Sequence, residues 1–290
     1  MAVLSIQSHV VYGYAGNTAA VFPLQRLGRE VWAINTVEFS NHTGYGSWKG
    51  KVLGADLILD LIKGLEERGA LSQCDAVLSG YLGDGEIGKA IIEAVKKVRA
   101  HSPGAIYSCD SVMGDTGRGF YVKENIPQMF KKELVPLADI ITPNLFELET
   151  LTGVNNINNI DTAKKAINIL HEMGPSIVLL TSYKERDGEI GMIASNKKNI
   201  FITSTPELPL NGSVAGTGDM TSAVFLSHYL KHKDIKKSLE LCVSIVYSIL
   251  KTSLKLSKKE NDSFIELNFI QAQKEFDFPS NKFKAKELKL

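Results

Sequence analysis

Short apolar runs alternate with helix-length amphipathic patterns along most of the chain, and this alternation restricts the fold more than any other feature. Candidate strands are Val3–Gln7, Glu30–Asn35, Ala76–Ser79, Ala105–Cys109, Asp139–Thr142 and Ile177–Thr181. Between them lie candidate helices near Asn17–Leu27, Asp56–Arg68, Glu86–Arg99, Ile126–Lys132, Leu145–Thr152 and Ile160–Glu172. Parallel strands need long crossovers, and helices of this length supply them. The pattern predicts an α/β fold with a mostly parallel central sheet and helices on both faces. Ile190–Ser195 and Asn199–Ser204 flank the polar Asn196-Lys197-Lys198 and predict an antiparallel hairpin at a sheet edge. After Asp219 the pattern is helical through Leu254, whereas Phe264–Gln273 fits strand and helix equally. No repeat, low-complexity segment or linker interrupts the 290 residues, so one domain, 1–290, is expected.

Composition excludes several classes. A net charge of +1 gives no footprint for nucleic acid or a charged membrane surface. The late lysines (Lys251, Lys255, Lys258, Lys259, Lys282, Lys284, Lys286 and Lys289) read as a solvated tail. Cys74, Cys109 and Cys242 are few, far apart and without metal-like spacing, as in a reducing cytoplasm. The N-terminus moves straight into a strand pattern without a basic segment or cleavage site, so no signal peptide is expected. No apolar run is long enough to span a membrane.

In a sheet of this kind, ligands bind beyond the carboxyl ends of the strands. Ser8, Tyr81, Asp110, Asn144 and Ser182 follow the proposed strands and are rim candidates. The most chemically specific stretch lies later. Gly216, Thr217 and Gly218 form a turn leading to Asp219, which opens an apolar helical run. Backbone N–H groups at a helix start lack partners and meet the positive end of its dipole, so such a turn can hold an anion. A carboxylate beside that anion can take a proton from a nucleophile. The alternative is Asp219 as a simple helix cap.

Other motifs carry competing readings. Gly83-Asp84-Gly85-Glu86-Ile87-Gly88 matches a dinucleotide-binding glycine pattern, with Asp110 downstream where a ribose-binding acid would stand. The glycines come late after the strand, however, and Asp84 and Glu86 would repel a pyrophosphate; a loop capping a helix explains them as well. There is no P-loop, zinc helix or nucleophile elbow. His101, His171, His228 and His232 read as surface or helix residues, whereas His9 and His42 fall in polar loops nearer the candidates. Thr142-Pro143-Asn144-Leu145-Phe146-Glu147 can form a helix cap, or can place Asn144 and Glu147 around magnesium-bound water. Asp110 and Asp115 likewise follow a strand. Taken together with the glycine turn, these acids compose an ATP site.

Five segments carry a family resemblance: Ser8-His9-Val10-Val11-Tyr12-Gly13-Tyr14-Ala15-Gly16-Asn17, Phe39-Ser40-Asn41-His42-Thr43-Gly44-Tyr45, Ser79-Gly80-Tyr81, Thr142 to Glu147, and Gly216 to Asp219. The chain resembles the pyridoxal kinases of the ribokinase-like superfamily, from about Val3 to beyond Ser222. The resemblance implies a three-layer α/β/α fold and phosphoryl transfer from ATP to the 5′-hydroxyl of pyridoxal. It implies Asp219 as the base and Gly216, Thr217 and Gly218 as the anion hole. Ser8, Phe39, His42, Thr43, Gly44 and Tyr81 would face the vitamin. Asp110, Asp115, Thr142, Asn144 and Glu147 would surround magnesium, a monovalent cation such as potassium and the phosphates, with Thr181 and Ser182 on the nucleotide side. It also implies a homodimer. A loop over Asp115–Tyr121 could exclude water from the site. Two departures stand out. Ser111 follows Asp110 where the family has proline, which would leave that backbone freer, and 205–214 matches poorly. The rival readings are a hydroxymethylpyrimidine kinase of the same fold, a non-catalytic vitamin-binding protein and a nicotinamide dehydrogenase.

Overall fold

The computed structural model describes residues 1–210, 213–257 and 264–289. The first half runs β1 (Ala2–Tyr12), α1 (Asn17–Arg26), β2 (Glu30–Asn41), β3 (Gly50–Val52), α2 (Ala55–Glu67), β4 (Cys74–Ser79), α3 (Gly85–His101) and β5 (Ile106–Cys109). Two short strands, β6 (Gly114–Asp115) and β7 (Gly119–Phe120), make a small hairpin. Then come α4 (Ile126–Met129), a π-helical turn over Phe130–Leu134, α5 (Val135–Leu137), β8 (Ile140–Ile141), α6 (Leu145–Thr152) and α7 (Ile160–Met173). The remainder is β9 (Ile177–Tyr183), β10 (Glu189–Ser195), β11 (Ile200–Pro206), β12 (Ser213–Val214), α8 (Thr217–His232), α9 (Ile235–Leu256), β13 (Phe264–Ile265), α10 (Lys274–Asp277) and β14 (Lys286–Leu288).

Ten strands form one sheet in the order β14-β11-β10-β9-β8-β5-β4-β1-β2-β3. The run from β2 through β9 is parallel, and both ends are antiparallel. Strand alternation divides the side chains between two cores. Leu4, Ile6 and Val77 face a layer containing Ile58 and Ile62 of α2, Ile91 of α3 and Ile167 of α7. Val3, Ala76, Leu78 and Leu179 face the opposite layer, with Leu24 of α1, Phe225 of α8 and Leu239 of α9. Burial on both faces is why these strands read as continuous apolar runs. Each such side chain contributes about 1.5–3 kcal/mol by leaving water; truncating the fully buried Phe225 to alanine would cost about 3–5 kcal/mol.

The structure corrects several expectations. The hairpin forms, with Ser195 opposite Ile200, but it is not at the edge: β14 pairs outside it, Leu288 against Ile200. The C-terminal region is therefore no solvated tail. Lys286 sits in an edge strand, and Leu267, Phe269, Phe276 and Ala285 are buried; Lys258 and Lys259 lie outside the described residues. The helix after the glycine turn is two helices. Lys233 turns left-handed, with φ 51°, and Asp234 then caps α9 by accepting from the Lys237 N–H at 3.0 Å. Phe264–Gln273 is neither strand nor helix as a whole, since only Phe264–Ile265 pairs, parallel to β12. His9 is not in a loop; it lies in β1, its Nδ1 2.7 Å from Glu38 Oε1. His171 and His228 lie in helices, as expected, and both are buried.

Candidate active site

The parallel strands all end on one side, and their ends open into a cleft of about 1200 Å³. Every residue that the family resemblance assigned to the site lines it: Ser8, Phe39, His42, Thr43, Gly44, Tyr81, Asp110, Asp115, Thr142, Asn144, Glu147, Thr181, Ser182 and Gly216 through Asp219. Strand geometry accounts for the convergence. β1 and β2 run past the points where the apolar pattern stops, and their register shifts between Gln7 and His9. Ser8 sits at that irregularity, and Phe39 lies near the end of β2. His42 then starts a single turn, Thr43–Tyr45, its Nδ1 accepting from the Gly44 N–H at 3.0 Å. Burial and the Arg118 charge hold the His42 imidazole below its ordinary range. Burial raises the Tyr81 phenol, and the Lys123 charge opposes that.

Asp219 is not a cap. Gly216 occupies the cap position with φ 76°, and α8 starts at Thr217, so Asp219 is its third residue. A Cβ on Gly216 would come within 2.3 Å of the Tyr14 carbonyl oxygen, so only glycine permits this turn. Asp219 Oδ2 accepts instead from the Gly16 N–H at 2.8 Å. Gly16 is equally constrained, because a Cβ there would meet the Ser8 carbonyl oxygen at 2.1 Å. The Thr217 hydroxyl is buried with no partner among the described residues, which marks an unmet polar position inside the turn.

Asp110 and Glu147 share this end of the cleft. Thr142 Oγ1 donates to Asp110 Oδ1 at 3.1 Å and Ser222 Oγ donates to Asp110 Oδ2 at 3.1 Å. Asp110 is thus held on both oxygens despite Ser111. Glu147 does close the capping box with Asn144, and its Oε1 also accepts from the Met113 N–H at 3.0 Å. Burial and the Asp219 charge push the Asp110 carboxyl up to about 7, against the two hydroxyl donors. Burial and the Asp110 charge raise Glu147 well above its usual range, while backbone donors oppose this. Burial likewise raises Asp219, and the Gly16 N–H opposes it. Asp115 stands apart on the exposed hairpin, its Oδ1 accepting from the Thr116 N–H at 2.7 Å.

Three carboxyls raised by burial, with the Asp219 charge adding at Asp110 and the Asp110 charge adding at Glu147, fit a site whose charge is balanced by a cation. Among the described residues, no three His, Cys, Asp or Glu side chains could hold a metal by themselves. The arrangement suits an ion such as Mg²⁺, which keeps several waters and shares its shell with phosphate. Thr181 also lines the cleft, its N–H donating to the Pro143 carbonyl at 2.9 Å. Ser182 has φ 56°, and such backbone strain away from glycine clusters at functional rims.

The dinucleotide pattern has a structural explanation. Asp84 caps α3 through the Glu86 N–H, and a Cβ on Gly88 would strike Met129 at 2.6 Å. Those glycines serve packing and capping. Gly16 was visible within a motif without its role being legible, and Ser222, four residues from Gly218 on the next turn, gave no signal.

The α/β/α fold, with the Asp219 carboxylate in the first turn of a glycine-started helix, is shared with relatives that are kinases of the ribokinase-like fold phosphorylating an alcohol group. The family profile described as Phosphomethylpyrimidine kinase matches residues 66–263. The chain is 48% identical to pyridoxal kinase PdxY of Rubrobacter xylanophilus, over 89% of this chain and 89% of that one. It is 46% identical to pyridoxal kinase PdxY of Granulibacter bethesdensis, over 98% of this chain and 99% of that one. It superposes on the pyridoxal kinase of Leishmania donovani in complex with ADP and pyridoxamine with a TM-score of 0.92, at 30% identity and 99% coverage of each chain. This chain belongs to the pyridoxal kinase family.

Proposed function

We propose that the chain is an ATP-dependent pyridoxal kinase, converting pyridoxal and its vitamer relatives to the 5′-phosphates in vitamin B6 salvage. The observation that carries this is Asp219, held by the Gly16 N–H beside the Gly216–Gly218 turn, in the cleft that Ser8, Thr43 and Tyr81 also line. In the transfer, the 5′-oxygen forms a bond to the γ-phosphorus, the bond from that phosphorus to the ADP oxygen breaks, and the hydroxyl proton passes to Asp219. Burial raises its proton affinity, which favours its role as a base. Gly216, Thr217 and Gly218 offer the start of α8 to the transferring group, mostly by positioning and electrostatics.

Asp110, Asp115, Thr142, Asn144 and Glu147 form the metal and phosphate side, and Thr181 and Ser182 the nucleotide side. Mg²⁺, when bound, would draw charge from the phosphate oxygens, and Asp110 and Glu147 are the carboxylates that would hold it. A monovalent cation such as K⁺ belongs to the same acidic end. The β6–β7 hairpin, with Gly117 and Gly119 at positive φ, is the cover that would exclude water.

Wider properties follow the same reading. One ten-stranded sheet joining residues 2–288 supports a single kinase domain over 1–290. Among the described residues no helix is long and apolar enough to cross a membrane, and the three buried cysteines are free, which supports a reducing cytoplasm. The β3 edge and α2 expose Trp48, Val52, Leu57 and Leu61, which supports a homodimer through that face.

The matching family profile favours hydroxymethylpyrimidine as the second substrate to examine. ADP formation is measured with Mg-ATP and K⁺, with pyridoxal, with hydroxymethylpyrimidine and with neither. Faster ADP release with pyridoxal is expected. No stimulation by pyridoxal would overturn the reading, and stimulation by the pyrimidine alone would replace it.

A further inference from the structure

The segment just beyond β13 makes contacts that phosphoryl transfer as described above does not use. Glu266 reaches two loops at once. Its Oε2 accepts from the Tyr14 N–H at 3.1 Å, and its Oε1 accepts from the Tyr45 hydroxyl at 2.7 Å. Tyr14 belongs to the turn whose Gly16 N–H binds Asp219 and whose carbonyl abuts Gly216. Tyr45 closes the turn that presents His42, Thr43 and Gly44 to the cleft.

The neighbouring residues strengthen this junction. The Phe264 ring lies 4.3 Å from the Tyr45 ring and 5.4 Å from the His42 ring, between centroids. A Cβ on Gly44 would come within 2.8 Å of Phe264, and one on Gly13 within 2.4 Å of Glu266, so both turns are packed directly on this segment. β13 also pairs with Ser213–Val214, the stretch leading into the glycine turn. Three loops that arrive from distant parts of the sequence therefore meet on three residues, Phe264 to Glu266.

We propose that Glu266 is a positioning residue for the phosphoryl acceptor: it ties the vitamin-side turn at His42–Tyr45 to the turn that holds Asp219. Among the described residues its carboxylate hydrogen-bonds Tyr14 and Tyr45, which belong to the turns beside Asp219 and Thr43, so its influence falls on the acceptor. The inference rests on the pyridoxal kinase reading. Without the carboxylate, the Tyr45 hydroxyl and the Tyr14 N–H lose a common anchor, and the wall carrying Thr43 can drift from the base.

The test is steady-state kinetics on Glu266→Ala, Glu266→Gln, Tyr45→Phe and the Glu266→Ala/Tyr45→Phe double variant, each with its melting temperature. Wild-type turnover with pyridoxal decides the kinase reading separately; the ratios among variants decide this one. Glu266→Ala is expected to raise KM for pyridoxal about tenfold while KM for ATP stays within about twofold, the effect of one lost charge-assisted anchor. Glu266→Gln should recover most of this, because its carbonyl can accept from Tyr14 while its amide donates to a reoriented Tyr45 hydroxyl. Tyr45→Phe should raise KM for pyridoxal less than Glu266→Ala, and the double variant should be no worse than Glu266→Ala alone. An unchanged KM for pyridoxal in both Glu266→Ala and Tyr45→Phe overturns the proposal. So do equal rises in both KM values in step with a fallen melting temperature, or a Glu266→Gln variant as impaired as Glu266→Ala.

Discussion

Helix α8 carries a buried electrostatic conflict at each end, and the two are resolved differently. At its start, Asp219 shares the cleft with Asp110 and Glu147, and burial raises all three carboxyls. Near its other end, one turn before the last, His228 is buried, its Nε2 without a partner among the described residues, with its ring stacked on His232. Burial, then the charges of His232, Lys231, Arg29 and Lys237, push that imidazole down to about 4. The C-terminal end escapes its conflict by keeping His228 neutral near pH 7. The N-terminal carboxyls can escape the same way by binding protons, but then Asp219 could not act as a base and its neighbours could not face a cation as anions. Above about pH 7, where Asp110 ionises, that end carries unfavourable charge that a metal and phosphates would relieve. Stability is sacrificed at one end of the helix and protected at the other.

The comparison breaks most visibly at the base. Asp219→Asn keeps the shape and can still accept from the Gly16 N–H, but it cannot take a proton. Turnover is expected to fall by about a hundred- to ten-thousand-fold, with the melting temperature unchanged or raised. Near-normal turnover in that variant removes Asp219 from the chemistry.

Glu147→Gln should act more mildly. The capping box tolerates glutamine, but the neutral amide is a poorer partner for metal-bound water. The magnesium concentration for half-maximal rate should rise about tenfold or more. An unmoved magnesium curve at saturating ATP would leave Glu147 as a cap and a backbone acceptor only.

The opposite end sharpens the contrast through pH. The folded His228 binds a proton less readily than in the unfolded chain. Its contribution to stability is therefore complete above the ordinary histidine value of 6.5 and is lost as pH falls toward about 4. His228→Leu should flatten the fall in melting temperature across that window and leave turnover near neutral pH unchanged. A slope identical to the wild type would mean that His228 is not what makes this end acid-sensitive.

Much of this was legible before the structure, for identifiable reasons. Five of the six core strands are largely buried on both faces, so their apolar runs announce them, and the partly buried β2 still carries Val31, Trp32 and Ile34. β3 and β14 are edge strands of three residues carrying Lys51, Lys286 and Glu287, and polar edges leave no apolar pattern. The break at Lys233 uses a left-handed lysine where the usual signal is glycine or proline. In the site, residues inside contiguous motifs were readable. Ser222, which binds Asp110 across 112 positions, and Glu266, which meets Tyr14 across 252, exist as partners only after the chain has folded. The doubt raised by Ser111 had the same origin, because the two hydroxyls that hold Asp110 come from Thr142 and Ser222.

The central claim is that the start of α8 is charged against its own stability so that it can receive metal and phosphate. Asp110 tests it most directly. In metal-free buffer at pH 8, its carboxyl, pushed up to about 7, is ionised beside Asp219. The melting temperature of Asp110→Asn under that condition is the measurement. A rise of about 2 °C or more is predicted, the scale of roughly 1 kcal/mol in a chain of this size. A melting temperature at or below the wild-type value would contradict the account, because Asp110 would then stabilise the fold that it is held to strain.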